Sequence, residues 1–344
     1  MKALLLLGIM VIAVPLAFLS PYVGVLTFIW MAITRPHEWA YAPSAQYSLM
    51  VGVATVLGYL VFEMIKRPPK IGANFFMLLV WVQTLLGTYF GYNVANAEPK
   101  FIEFTKVIVI GLLISALADS EQKVRWFLLV LIGSVSLVTF KDFAGAIIHM
   151  GNVKLTGPGG AYEDNNDYAL LLVMTTPLAY YLAKSETKWI LRWGFYGISA
   201  MTAITILFTY SRGGLLTAGA ATALTFLLVG RAEFRNAWKW FTSQNLFLRF
   251  GVLILILGAV IGSGLFLTQK GYIARLFESD AESVEEFVIE NSAGARSAYL
   301  VSALGAYEES PVLGVGLGAS GFYMYDHLPD WSLTVVPEIA RQLN

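Results

Sequence analysis

The sequence has no cysteine among its 344 residues. That absence excludes a disulfide framework, a thiolate nucleophile and a cysteine-ligated metal. Histidine is scarce too, because His37, His149 and His327 are scattered and none of them has the spacing of a metal-binding pair. We therefore expect a protein without a catalytic metal, and nothing in the sequence predicts another cofactor.

Charged residues are scarce as well. They make up 13% of the sequence, whereas hydrophobic residues make up 57% and the mean hydropathy is +0.65. A soluble domain needs roughly a quarter of its residues charged to cover its surface in water. Lys plus Arg and Asp plus Glu balance at 23 each, which argues against a nucleic-acid partner held by bulk charge. The composition predicts a membrane protein.

Long apolar stretches follow one another along most of the chain. A helix that crosses ~30 Å of hydrocarbon needs about 20 apolar residues. Two shorter stretches come first, 3–19 and 22–34, and we interpret the first as a retained membrane segment because its signal-peptide cleavage pattern is poor. Whether residues 1–34 cross the membrane once or twice stays open. Eight further stretches are 48–65, 73–90, 101–118, 126–148, 167–183, 190–209, 213–229 and 249–267. We predict an all-α polytopic membrane protein with about 9–10 transmembrane helices.

Basic residues mark one side of the membrane. If the eight stretches alternate in direction, most Lys and Arg residues of the loops fall on one side of the membrane. Because cytoplasmic loops carry an excess of Lys and Arg, we predict that this side is the cytoplasm. The loops 91–100, 149–166 and 210–212 are then periplasmic. We predict a transmembrane domain over 1–267 and a periplasmic loop region over 268–344. The basic residues of the cytoplasmic side are Lys66, Arg67, Lys70, Lys123, Arg125, Lys184, Lys188, Arg192, Arg231, Arg235, Lys239 and Arg249.

Arg212 stands in the short segment 209–214, between two apolar stretches. A guanidinium at that depth is costly unless it is paired or reaches water. Its planar fork suits a phosphate, and the two glycines after it allow a bulky ligand to approach the backbone. The functional hypothesis is an anion-binding arginine at the outer interface. The alternative is an arginine that only extends into the headgroup region.

A second polar segment follows the last apolar stretch. Residues 294–304 have helical spacing and contain Arg296 and Tyr299, Arg275 precedes them, and Pro311 ends the pattern. An amphipathic helix on the membrane surface is the alternative interpretation. Three alternate glycines then predict a tight turn of close backbone approach: Gly314, Gly316 and Gly318.

Two loops add further polar residues. The run 164–167 offers four consecutive hydrogen-bonding side chains that suit a sugar, although Asp and Asn also cap helices, and an apolar stretch begins directly after them. The segment 35–41 mixes charge with aromatic residues typical of membrane interfaces. Candidate substrate-binding residues in these loops are Arg35, Asp164, Asn165 and Asn166.

These motifs resemble those of the O-antigen ligase/polymerase superfamily. The resemblance rests on Ser-Arg-Gly-Gly at 211–214, Gly-Ala-Arg-Ser-Ala-Tyr-Leu at 294–300 and Glu-Ser-Pro-Val-Leu-Gly-Val-Gly-Leu-Gly at 309–318. The segments 34–39 and 164–170 are similar to those of the O-glycosylation ligases found with exosortase systems. The resemblance extends over essentially the whole chain.

The resemblance implies a glycosyltransferase. Such a protein takes a glycan from an undecaprenyl-diphosphate carrier and transfers it to a lipid or protein acceptor outside the cytoplasm, without a metal. Arg212 and Arg296 match the family arginines that hold the diphosphate leaving group, and Arg275 and Tyr299 join the candidate substrate-binding residues. A polymerase of the same superfamily is the closest alternative.

One expected motif does not occur. The superfamily places an essential histidine, followed by Ser or Asn, further along the external loop and before two final helices. His327 lacks that context, and the chain reaches Asn344 before any such motif. Either the protein is longer than this chain, or it does not activate an acceptor in the family's manner. We favour a longer protein, and we expect that this chain alone does not catalyse transfer.

A transporter or flippase of lipid-linked sugars is the alternative from another class. A transporter carries polar or broken-helix features near the middle of its helices. Lys141 and Asp142 are the main polar pair inside a predicted helix, and they form either an ion relay or, as we favour, a buried pair that neutralises itself.

Overall fold

The computed structural model describes residues 2–40, 47–149, 155–160, 162–225, 241–251 and 292–327, with single residues at 235, 239 and 254. Within these ranges the regular structure is helical, and a lone bridge joins Gly159 and Tyr162. This confirms the all-α prediction. The helices are α1 Lys2–Leu19, α2 Pro21–Thr34, α3 Pro36–Trp39, α4 Tyr47–Gly58 continued by a π-helical turn Tyr59–Glu63, α5 Phe75–Phe90, α6 Val94–Leu117, α7 Glu121–Ile148, α8 Asn165–Ser185, α9 Trp189–Phe208, α10 Arg212–Thr225, α11 Ser292–Glu309 and α12 Ser320–Asp326.

Several of these helices have the length and composition of membrane spans. Three of the described helices, α1, α7 and α9, are long and apolar enough to cross a membrane. Shorter apolar helices are α2, α4 with its π-helical turn, and α5. The chain is therefore a multi-pass membrane protein. The predicted span 213–229 is described as far as residue 225. Most of 249–267, the domain boundary at 267 and Arg275 lie outside the described residues.

The helices form two compact units. The first holds α3 and α7 to α10, and the second holds α5, α6, α11 and α12, while α1, α2 and α4 contribute to both. In the first unit, Tyr168 of α8 is fully buried in a cluster of apolar residues. Val135 and Val138 of α7 and Phe208 of α9 surround it. This cluster fixes the α8 end at which the polar loops meet.

Hydroxyl groups join α8 to α9 further along the two helices. The hydroxyls of Thr176 and Thr202 lie 3.0 Å apart, and Ser199 donates to the carbonyl oxygen of Thr176 at 2.9 Å. Pro177 lies next to them inside α8. Such hydrogen bonds between hydroxyl groups and a neighbouring helix hold membrane helices together.

Glu186 ties three helices together at the other end of the first unit. Its carboxylate pairs with Arg125 of α7 and accepts the N–H groups of Thr187 and Lys188, directly before α9. Arg192 of α9 donates to its carbonyl oxygen at 2.9 Å. The N–H of Lys188 and then the charge of Arg125 lower the pKa of Glu186. Through these contacts, an ionised Glu186 holds the ends of α7, α8 and α9 together.

Glycines permit close helix contacts in the second unit. A Cβ atom at Gly58 of α4 would lie 2.0 Å from the carbonyl oxygen of Phe18 in α1. A Cβ atom at Gly24 of α2 would lie 2.2 Å from Oγ1 of Thr55 in α4. Small residues at such positions let membrane helices pack backbone to backbone.

Candidate functional site

Arg35 holds a glycine turn at the polar end of the first unit. It stands between α2 and α3 with a left-handed backbone, φ 44° and ψ 56°. Its guanidinium pairs with Glu38 at 2.5 Å and packs on Gly159 and Gly160, whose φ angles are +94° and +60°. A Cβ atom at Gly160 would lie 2.3 Å from Nη1 of Arg35. The sequence needs glycine there both for the backbone angle and for the arginine.

The polar run after this turn begins α8. Asp164 is the N-cap residue, and its Oδ1 accepts the N–H of Asn166 at 2.7 Å. The predicted capping role is therefore confirmed. Asn165 is buried and donates its amide to the carbonyl oxygen of Thr209 at 2.9 Å, which joins the loop to the end of α9.

Ser211 lies directly before α10 and orients that helix against α8. Its Oγ accepts the N–H of Gly214 at 2.9 Å, and its hydroxyl donates to Oδ1 of Asn166 at 2.6 Å. The residue before it, Tyr210, has a left-handed backbone with φ 53°. Two distant parts of the sequence, 164–166 and 209–214, thus meet at one end of the bundle.

Arg212 is the first residue of α10, and it is exposed. Within the described ranges its guanidinium has no ion-pair partner. The two glycines that follow it differ in their surroundings. A Cβ atom at Gly214 would lie 2.5 Å from Cβ of Ala169, so Gly214 serves the contact between α10 and α8. Gly213 is exposed, and a Cβ atom there would lie 4.0 Å from Oγ of Ser211, so this glycine does not serve the helix contact.

Lys141 and Asp142 have separate partners. Asp142 accepts the hydroxyl of Tyr168 at 2.8 Å. Lys141 is exposed, and its Nζ lies 5.5 Å from the ring centre of Trp39 in α3. Adjacent residues of a helix point to different faces, which explains why these two charges do not form a closed pair. The polar groups of α7 therefore lie beside α3 and the start of α8.

The glycine loop of the second unit packs on α5 and on the start of α6. Gly314, Gly316 and Gly318 have φ angles of +69°, +100° and +79°, which confirms the predicted turn. The carbonyl oxygen of Val315 accepts the N–H of Tyr92 at 2.9 Å. A Cβ atom at Gly316 would lie 2.8 Å from the carbonyl oxygen of Gly87.

An aromatic cluster follows this loop. His327 stacks on buried Tyr323 with ring centres 4.0 Å apart, and Tyr92 approaches Tyr323 edge-on at 5.4 Å. Tyr92 donates its hydroxyl to Asp326, and this hydrogen bond raises the pKa of Tyr92. Nδ1 of His327 lies 2.9 Å from the carbonyl oxygen of Tyr323, in the last turn of α12. Histidine is common at such a helix end.

The other predicted site residues have these places. Arg296 and Tyr299 lie in α11, which ends at Glu309 before Pro311, as predicted. Arg275 lies outside the described ranges.

Sequence reasoning missed the contact between Asn166 and Ser211. A serine directly before Arg212 is a preferred helix N-cap, and that preference was the available signal.

Comparisons with known proteins divide the chain in two. Residues 1–187, more than half of the sequence, match a family model described as a family of unknown function (DUF5935). Residues 197–340 match the O-antigen ligase model, and this range contains Arg212 and Arg296. No curated protein and no solved structure matches the chain.

The second match confirms the resemblance that the motifs indicated. An O-antigen ligase domain implies a glycosyltransferase-like ligase activity, with a lipid-linked glycan donor and an acceptor. The chain belongs to the family of unknown function DUF5935 and, over residues 197–340, to the O-antigen ligase superfamily, whose members transfer or polymerise glycans.

Proposed function

We propose that the protein transfers a glycan from an undecaprenyl-diphosphate carrier to a hydroxyl of a lipid core or a protein, at the periplasmic face of the bacterial inner membrane. The observation that carries this proposal is the exposed guanidinium of Arg212 at the start of α10, inside the O-antigen ligase match. The branch found with exosortase systems remains a prediction from the segments 34–39 and 164–170.

The chemistry of the transfer requires a fixed positive charge. The acceptor oxygen forms a bond to the anomeric carbon of the glycan, and the bond from that carbon to the diphosphate breaks. The undecaprenyl diphosphate leaves with added negative charge, while the proton of the acceptor passes to a base. An arginine fork near low-dielectric lipid stabilises that leaving group without reorganising.

The start of α10 adds to the charge of Arg212. The N–H groups of Arg212 and Gly213 open the helix, where no preceding turn supplies an acceptor. A helix N-terminus favours anions, since its free N–H groups and its dipole point toward them. Because Gly213 is exposed, a phosphate oxygen has access to this backbone.

We place Arg296 of α11 as the second arginine on the diphosphate. Arg275 and Tyr299 remain predicted substrate-binding residues of the same loop region, 268–344. Arg35, Asp164, Asn165 and Asn166 remain predicted glycan contacts from the loops of the first unit. Described contacts already engage these four residues, and those of Asn165 and Asn166 reach Thr209 and Ser211, just before α10.

The test is a transfer assay with the full-length protein in vesicles. The donor is a short undecaprenyl-diphosphate glycan, the acceptor is a lipid core or a protein, and a chelator is present throughout. We expect glycosylated acceptor and released undecaprenyl diphosphate. Growth of the glycan on its carrier would show the polymerase instead. Movement of labelled donor across the bilayer without a glycosylated product would show a transporter.

A further inference from the structure

A chain of hydrogen bonds joins the start of α8 to the start of α10. Oδ1 of Asp164 accepts the backbone N–H and the side-chain amide of Asn166, at 2.7 and 2.8 Å. Oδ1 of Asn166 accepts the hydroxyl of Ser211 at 2.6 Å, and Oγ of Ser211 accepts the N–H of Gly214 at 2.9 Å. Arg212 lies between the last two residues. The chain thus ends on the helical turn that carries Arg212.

Each bond in this chain has a set direction. Because Oγ of Ser211 already accepts the N–H of Gly214, its own proton goes to Asn166. Asn166 therefore presents its oxygen to Ser211 and its NH₂ group to Asp164. An amide has one accepting and one donating end, which is what this position requires. An ionised carboxylate in its place would face Asp164 with no proton between them.

Further described contacts near Arg212 come from the same loop and from Thr209. Asn165 donates to the carbonyl oxygen of Thr209, and the N–H of Ser211 lies 3.3 Å from Oγ1 of Thr209. Asn165 is buried, whereas Asn166 is exposed. Asn166 can therefore be changed without opening the apolar core, and its contribution is confined to the orientation of α10.

We propose that Asn166 is a positioning residue for Arg212: through Ser211 it holds the first turn of α10, and Asp164 sets the orientation of its amide. The inference rests on the proposed function and deepens it. Asp164 and Asn166 then act on the diphosphate through Arg212, besides the direct glycan contact that the sequence predicted for them.

The test exchanges the two side chains. Asn166→Asp should lower kcat for transfer at neutral pH by ~10²-fold, since a misplacement of about 1 Å costs roughly that much. Activity should recover as the pH falls, because a protonated carboxyl at position 166 donates to Asp164 and accepts from Ser211. When two carboxyl groups share a proton, the pKa of one of them rises above its ordinary value of about 4.

The double variant Asp164→Asn/Asn166→Asp reverses the amide and the carboxylate. It should restore transfer at neutral pH, because the amide at position 164 can donate to the carboxylate at position 166. The matched control is Glu163→Gln, which removes one negative charge from an exposed neighbour and should leave transfer unchanged. A double variant as inactive as Asn166→Asp would overturn the inference, and so would a change confined to KM for the donor glycan.

A second measurement does not depend on transfer. Hydrogen exchange at the N–H of Gly214 should quicken in Asn166→Ala and Ser211→Ala, and stay unchanged in Ser211→Thr and Glu163→Gln. Unchanged exchange in Asn166→Ala would overturn the positioning role. If exchange quickens as expected while Arg212→Ala still transfers glycan, the contact is real and the proposed function of Arg212 is wrong.

Discussion

Two arginines show how surroundings change what one side chain can do. The guanidinium of Arg35 is held by Glu38 and by the turn at Gly159 and Gly160, and 23% of its side chain is exposed. Arg212 is exposed at a helix start and has no ion-pair partner within the described ranges. An anion gains most from a cation that is not already neutralised. Of the two, Arg212 is therefore the arginine that we propose as the diphosphate ligand.

Replacing Arg212 or Arg296 by alanine in the full-length protein should abolish glycan transfer. The loss of one donor to a developing anion costs about 10²–10³ in kcat, and both arginines are proposed to hold the same diphosphate. Arg212→Lys should restore part of the activity, because lysine keeps the charge and loses the two-pronged geometry. Transfer is measured in membranes, beside the amount of inserted protein.

Lys188→Ala is the control for those variants. Lys188 is an exposed basic residue next to α9, at the end of the bundle opposite Arg212, and its removal should leave transfer intact. If Arg212→Ala and Arg296→Ala both transfer glycan at the wild-type rate, the two arginines do not hold the diphosphate.

At the scale of elements, the conformation of the glycine loop at 314–318 depends on its packing against α5. Gly316→Ala should loosen this loop from α5, because its φ of +100° disfavours a side chain by about 1–2 kcal/mol and the added carbon meets the carbonyl oxygen of Gly87. We expect faster proteolysis between α11 and α12 and weaker transfer. Gly321→Ala in α12 is the control, since open space surrounds it. Equal proteolysis in both variants would contradict the prediction.

Hydropathy located the membrane helices and missed their polar ends. The predicted stretch 126–148 begins later than α7, which begins at Glu121. The predicted stretch 101–118 likewise begins later than α6, which begins at Val94. A helix continues into the headgroup region with charged residues that a hydropathy pattern does not count. Asn93 begins α6 as a side-chain N-cap, a signal that hydropathy also ignores.

The contacts of the site were harder to predict than its helices. Composition and glycine spacing were enough for the turn at 314–318, because a positive φ is a local property of the chain. The bond from Ser211 to Asn166 joins residues 45 positions apart, and the tyrosine that binds Asp142 is 26 positions away. Such partners follow from how α7, α8 and α10 pack, which no single motif contains.

At the scale of the whole molecule, the distribution of basic residues predicts which loops face the cytoplasm. Lysines and arginines are enriched in cytoplasmic loops, and Lys70 and Lys188 lie in short loops between described helices. The turns that carry Tyr92, Gly160 and Tyr210 lie at the opposite helix ends if α5 to α10 alternate in direction. The proposed transfer needs Arg212 on the periplasmic side.

The absence of cysteine allows a direct test of that topology. Single cysteines can replace exposed residues at helix ends: Lys70, Gln122 and Lys188 for the cytoplasmic side, Ala95 and Glu163 for the periplasmic side. A membrane-impermeant maleimide applied to intact spheroplasts should label Ala95→Cys and Glu163→Cys, and should label the other three only after lysis. The cysteine-free parent is the control for background. Labelling of Lys188→Cys in intact cells, without labelling of Glu163→Cys, would place Arg212 in the cytoplasm and exclude periplasmic transfer by this site.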